Sequence, residues 1–512
     1  MTSLRGRVAS ISVLLAAAWL AGCTAGVRAG RTPAAVPASE SPAARLAAAR
    51  RLLLDEHYRE AQTALQALID SEAFAQLAQE DRYRALVDAA KLAYGFHRLP
   101  LAYRDITRAA ALPPAVPGDV LSQIQVAFEL QDPAGECAAL TALATRWPEQ
   151  LGKQPDELGL RILHDAQALP RARFVSLLEA LYAAHWKLRW GVEPSWPWLR
   201  LTLALIESGA LARASEVASH VTAPAALIAM RADRRFDAIV AAHPDWFDVD
   251  AAASREIERL AAQDNLKSLG LEVRLIHALI LVQHYGAALA VADSAVGEIR
   301  STNFPEKLYV DYHERYRALL HVRAWVLDLL GRWDEAVDQM SAASRMYENG
   351  ALNVSDVIDL ASLYCSRGQP SAAIAALERA GSASRYGSMQ EASIRVDAFA
   401  QLNDAGEVDR SLSYLRAHQA EAPGTYVRSL VAANRLDRAA SALLGHLRSK
   451  HSRLGALVSV QSYALPPLTP RDAELQRRWE SIVARSAVQA EIARVGRVQR
   501  YAEAEDGAAE DW

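Results

Sequence analysis

The sequence predicts an all-α chain built as a long array of helical hairpins, and three observations carry this. Small residues recur at Ala324, Gly331, Ala336 and Ala343, spaced seven, five and seven. They recur thirty-seven residues later at Ala361, Gly368, Ala373 and Ala380. Much of the 51% hydrophobic share is Ala, a strong helix former, while alternating Val/Ile/Thr runs are scarce. Finally, 512 residues exceed what one compact core needs, so several domains or an extended array are expected. Small residues at these intervals let two antiparallel helices approach closely around a tight turn. The charge balance, 56 basic against 60 acidic residues, gives no global basis for nucleic-acid binding. Arg residues are spread along solvated helix faces without a dense block.

The chain opens with Arg5 and Arg7, followed by an apolar run from Val8 to Leu20 that is too short for a stable membrane span. The run ends in Leu20-Ala21-Gly22-Cys23, which is similar to the lipobox of bacterial lipoproteins. That resemblance implies a signal peptide over 1–22, cleavage before Cys23 and a diacylglyceryl group on its sulfur. With Thr24 rather than Asp next, it also implies an outer-membrane address. Two or three acyl chains, unlike one, give stable attachment. Residues 23–42, with Pro33, Pro37 and Pro42 among Ala, Ser and Gly, read as a flexible tether.

Residues 43–148 read as N-terminal helical repeats. The first carries Ala49, Glu56, Ala61 and Leu68 in the seven-five-seven frame, and the second Ala90, His97, Ala102 and Ala109. Pro113-Pro114 and Pro117-Gly118 stop the second, because no helix interior accepts them. A third pair spans Ser122 to Trp147 and turns at Asp132-Pro133. Residues 149–250 read as an irregular helical, Trp-rich region, of which 149–200 fit worst. Trp186, Trp190, Trp196 and Trp198 crowd into thirteen positions there, either as an aromatic binding platform or as core at a bend. A short irregular or hairpin insertion is compatible with 185–198. The frame returns at Thr202, Gly209, Ala214 and Val221, and a new helix is expected over Ser254 to Gln263.

Residues 251–465 hold the strongest repeats. Ile276, Gln283, Ala288 and Ala295 precede the two already described. Phe399, Gly406, Ser411 and His418 follow, and then Val427, Asn434, Ala439 and His446. Arg471 to Arg500 reads as one long helix in a segment, 466–502, that caps the open end of the array. The tail 503–512 has five acids and no base, the composition of a disordered end. Cys137 and Cys365 read as small buried hydrophobes.

The two strong units resemble the tetratricopeptide repeat, a helix-turn-helix of about 34 residues. The resemblance rests on Leu320, Ala324, Leu327, Gly331, Trp333, Ala336 and Ala343. In the next unit it rests on Val357, Leu360, Ala361, Tyr364, Gly368, Ala373, Leu377 and Ala380. Arg323 stands where that family usually has Leu, and the Pro that commonly ends the second helix is absent. The resemblance implies a right-handed α-α superhelix, here an irregular solenoid, whose first helices line a peptide-binding groove. Carried onto this chain, the groove would be lined by His277, His321, Trp325, Asp328, Ser355 and Ser362, with Cys365 beside them.

Enzyme chemistry leaves no trace in the pattern. The thirteen His residues show no metal spacing, and there is no H-E-x-x-H, no C-x-x-C pair, no G-x-S-x-G elbow and no phosphate-cradling Gly loop. The sequence therefore predicts no catalytic residue, no metal and no cofactor. It points to a lipid-anchored, periplasm-facing scaffold that binds protein or peptide partners in envelope assembly, export or secretion. A carbohydrate-binding or carbohydrate-processing protein using the Trp-rich region is the alternative.

Overall fold

The computed structural model describes residues 40–263, 267–348, 351–381 and 383–502. The expected signal peptide, Cys23, most of the expected tether and the acidic tail lie outside them. The described chain is an all-α solenoid of tandem helical hairpins, with strands only two residues long. Among the described residues no helix is long and apolar enough to cross a membrane. The chain forms two compact units, residues up to Pro197 and residues from Trp198 onward.

In the first unit, Pro42–Leu54 pairs with Tyr58–Ile69, Gln79–Gly95 with Leu99–Ala110, and Pro117–Glu129 with Pro133–Arg146. The frame residues Ala49, Ala61, Leu68, Ala90, Ala102 and Ala109 are all buried. Asp156–Ala166 and Arg171–Ala183 follow, but no second helix completes the last of them. The chain instead makes a three-residue turn at Arg189–Gly191. The insertion allowed for at 185–198 is thus a 3₁₀ turn with a single bridge between Leu188 and Val192.

The second unit contains Leu269–Leu281 with Tyr285–Arg300, Tyr312–Leu329 with Trp333–Ser344, and Val354–Ser366 with Pro370–Leu377. Arg385–Gln401 with Ala405–Ala417 and Pro423–Ala432 with Leu436–Arg448 complete the series. Each first helix ends in one left-handed residue. At Gly331 (φ +73°), the amide of Arg332 donates to Leu327 O at 2.9 Å and that of Gly331 to Asp328 O at 2.9 Å. This is the reciprocal closure that satisfies orphan carbonyls at a helix end. Glu56, His97, Gln283, Asn403 and Asn434 take the same conformation without Gly. One repeat is therefore registered differently from its expected frame. Asn403, not Gly406, makes the turn, and Gly406 lies inside the second helix Ala405–Ala417. The buried frame residues there are Val396, Val408 and Leu415. The helix expected from Ser254 begins earlier, at Val249, because the Asp248 carboxylate accepts from the amide of Ala251 at 2.9 Å.

The single helix expected over 471–500 is two, Pro470–Val483 and Ser486–Val495, separated by Arg485 in extended backbone. Both pack on Leu436–Arg448, the last hairpin helix of the array. Ala232, at the end of helix Pro224–Ala232, shares one core with Ala456, Leu457, Val488 and Val495. The C-terminal segment of this unit thus closes back onto helix Pro224–Ala232. Gly496 is required at the closure, because a Cβ there would collide with the Ala232 carbonyl and stand 2.7 Å from Leu457.

Before that closure, residues 464–491 form a strap across the turn ends of successive hairpins. Gln283 donates to Ala464 O at 2.9 Å, Pro467 packs on Gly331, and Ser366 donates to Asp472 at 3.0 Å. Arg471 pairs with Asp397 and reaches Ala432 O, Arg485 pairs with Asp437, and Arg448 with Glu491.

Candidate functional site

The first helices Leu269–Leu281, Tyr312–Leu329 and Val354–Ser366 carry the groove residues expected from the repeat frame. In each, small and aliphatic residues such as Ala324, Leu327 and Ala361 are consumed by packing. Residues between them are left facing outward. His277 and Trp325, from neighbouring first helices, meet as a tilted ring pair with centroids 5.5 Å apart. Trp325 is half-buried against the core of its repeat, whereas solvent still reaches His277. The protein around His277, then the charges of His321 and Arg274, pull its pKa down to about 4.

His321 binds forward to the next repeat. Its Nδ1 lies 2.9 Å from Asp356 Oδ1 and 3.6 Å from Asp359 Oδ2. Arg317, one turn earlier, donates to the same Asp356 oxygen at 3.1 Å. Asp356 is fully buried and held from behind. Asn353 Nδ2 donates to its Oδ2 at 2.5 Å, while its own amide donates to Asn353 Oδ1 at 3.1 Å. Asn353 thus N-caps helix Val354–Ser366 and orients the Asp356 carboxylate at the same time. Desolvation opposes charge on His321, but the Asp356 hydrogen bond and both carboxylate charges raise its pKa. Desolvation likewise opposes ionisation of Asp356, and His321 and Arg317 prevail, so its pKa is lowered. Asp359 stays partly in solvent and is pushed up, chiefly by desolvation. Both shifts favour the imidazolium–carboxylate form of the pair, which links the two repeats.

Asp328 lies apart from this group. Its carboxyl is half-buried at the strap, raised to about 6 by desolvation and then by the Asp472 charge. Ser355 is half-buried one turn before Asp359, and Ser362 is exposed one turn after it. Cys365 and Cys137 are buried and not bonded to each other, and burial pushes the Cys365 thiol well up. The structure thus brings together His277, Trp325 and His321, while Asp328 belongs to the strap edge. The sequence reasoning did not single out Arg317, Asn353, Asp356 or Asp359. Their signal was period: Asp356 follows His321 by thirty-five residues, nearly one repeat.

The Trp-rich stretch divides its four rings. Trp186 and Trp198 are buried, whereas Trp190 and Trp196 are half-buried. Trp186 lies on Gly159, where a Cβ would stand 2.7 Å from its ring. Beside it a shallow hollow of about 430 Å³ is lined by Glu149, Leu151, Trp186, Lys187, Arg189 and Trp190, among others. Trp190 sits in left-handed backbone (φ 57°, ψ 24°), and the amide of Arg189 is held by Asp156 at 3.0 Å. A non-Gly residue in this conformation is held there by its surroundings, at a cost of roughly 1–2 kcal/mol.

No family model matches the chain, and no curated protein matches it. Among solved structures, the Rap protein complexed with competence and sporulation factor is 12% identical. It covers 87% of this chain and 99% of its own, with a TM-score of 0.28. The Cut9–Hcn1 hetero-tetramer of the APC/C is 11% identical over 89% and 98%, with a TM-score of 0.30. The TPR domain of P58(IPK) is 10% identical over 89% and 99%, with a TM-score of 0.18. TM-scores of this size carry no argument about what this chain binds.

Proposed function

We propose that this chain is a lipid-anchored, non-enzymatic scaffold on the periplasmic face of a bacterial envelope, holding a segment of a partner protein. One observation carries the binding half of this reading. His277, Trp325, His321 and Asp359 come from three consecutive first helices, and solvent reaches each of them while the frame residues do the packing. An aromatic surface beside the Asp359 carboxylate suits a peptide segment with apolar and basic side chains. The anchor half rests on Leu20-Ala21-Gly22-Cys23. Tethering would raise the partner's effective concentration near the membrane, in assembly, export or secretion.

The test is capture of envelope proteins by the full chain and by Trp325→Ala and His321→Ala. Partners should be lost from both variants without loss of helical content, and retention of every partner by both would sink the reading. Cys23→Ser should release the chain from membranes. A second reading, saccharide binding, is favoured by Trp190, whose strained backbone places it at the hollow beside Trp186. Trp190→Ala would abolish oligosaccharide retention if that reading holds.

A further inference from the structure

We propose that His321, Asp356 and Asp359 form a binding site for one divalent transition-metal ion, with zinc as the natural probe. The three residues offer one nitrogen and two carboxylate oxygens, all within 4.8 Å of one another. Ligands bonded to a single ion at about 2.0–2.1 Å stand roughly 3.0–3.5 Å apart. Here His321 Nδ1 is 2.9 Å from Asp356 Oδ1 and 3.6 Å from Asp359 Oδ2. These two separations fall within about 0.1 Å of that range, and the third, between the two carboxylate oxygens, is no more than 4.8 Å.

The surroundings fit a held ligand set. Asn353 fixes Oδ2 of Asp356 and leaves Oδ1 turned toward His321, the outer-shell support that orients ligating carboxylates. Arg317 shares that oxygen at 3.1 Å, and a carboxylate oxygen has lone pairs for both. With neutral imidazole, two carboxylates and one guanidinium sum to a single negative charge, which a dication reverses. Asp356 has no solvent exposure, but the side chains of His321 and Asp359 keep 32% and 44% of theirs. An ion can therefore enter without unfolding, and water completes its coordination. Imidazole with carboxylate selects zinc-like ions over calcium or magnesium, which prefer oxygen alone. The site joins helix Tyr312–Leu329 to helix Val354–Ser366, so an ion would replace a hydrogen-bonded His–Asp link by a coordinate one.

The experiment is calorimetric titration of zinc into the tag-free full chain carrying Cys23→Ser, which removes the competing thiol. One equivalent should bind, Asp359→Asn and His321→Asn should each weaken it at least tenfold, and Asp359→Glu should retain it. Asp359→Asn leaves the buried Asp356 network intact, so its folding should match the parent by circular dichroism. Cobalt bound to the parent chain should give a visible d–d band that Asp359→Asn abolishes. Absence of a binding isotherm in the parent chain, or zinc binding unchanged in both Asn variants, would overturn the proposal. The outcome is independent of whether Trp325→Ala loses protein partners.

Discussion

Residues 269–448 and residues 148–197 answer the same packing problem in opposite ways. In the first stretch every hairpin is complete, and Ala, Gly and Leu in the frame bury one helix on the next. Side chains between the frame positions are then free to meet across repeats, as His277 meets Trp325 and His321 meets Asp356. In the second stretch the last hairpin lacks its second helix. Large rings must fill the space instead, so Trp186 packs directly on Gly159 and Trp190 is forced into left-handed backbone. Regularity frees side chains to pair across repeats, and irregularity draws a large ring, Trp186, into the packing.

The sharpest way to break this comparison is to remove what holds the regular stretch. Arg471 is 11% exposed and pairs with Asp397, itself 15% exposed, so Arg471→Ala strands a largely buried carboxylate. The expected loss is about 3 kcal/mol, read as a lower midpoint in urea for the C-terminal unit. A midpoint unchanged within error would mean that the repeats stand without the strap. The irregular stretch is tested by Gly159→Val, whose Cβ would stand 2.7 Å from the Trp186 ring. A loss of about 2 kcal/mol and a shifted Trp fluorescence maximum are expected. An unperturbed spectrum would show that the hollow tolerates repacking.

The smallest effect sharpens the boundary between groove and strap. Asp328 has its folded pKa raised to about 6, first by desolvation and then by Asp472. Ionising it costs folding free energy above the unfolded value near 4, and the penalty is complete once pH exceeds about 6. Asp328→Asn should therefore stabilise the chain by roughly 1–2 kcal/mol at pH 7–8. The gain should vanish below about pH 4, measured as thermal midpoint against pH. A gain that persisted at pH 4 would assign the effect to something other than charge.

The repeat architecture was legible because packing repeats with the helical period. The frame placed Glu56, His97, Gly209, Gln283, Gly331, Gly368 and Asn434 at turns, and each has positive φ. It slipped at Asn403, where Gly406 drew the turn three residues late. Two hydrogen bonds made by the backbone define the turn, and a Gly merely makes it cheaper. The site was half legible. The resemblance to the tetratricopeptide repeat pointed to His277, His321 and Trp325. Asp356 acquires its role from Arg317 and His321, whose positions relative to it only the stacking decides. Closure of the unit was not legible at all. Ala232 and Leu457 are ordinary apolar residues, and nothing local marks them as neighbours.

That closure bears on how the chain is made. An open array can fold repeat by repeat as it is synthesised, each new hairpin covering the last. Here the face around Ala232 stays uncovered until Leu457 and Val495 exist. At ordinary elongation rates that is a delay of roughly 10–50 seconds, during which the growing chain carries an open apolar face. A nascent chain stalled between Ala232 and Val495 would be a natural client for chaperones, however perfect its individual repeats.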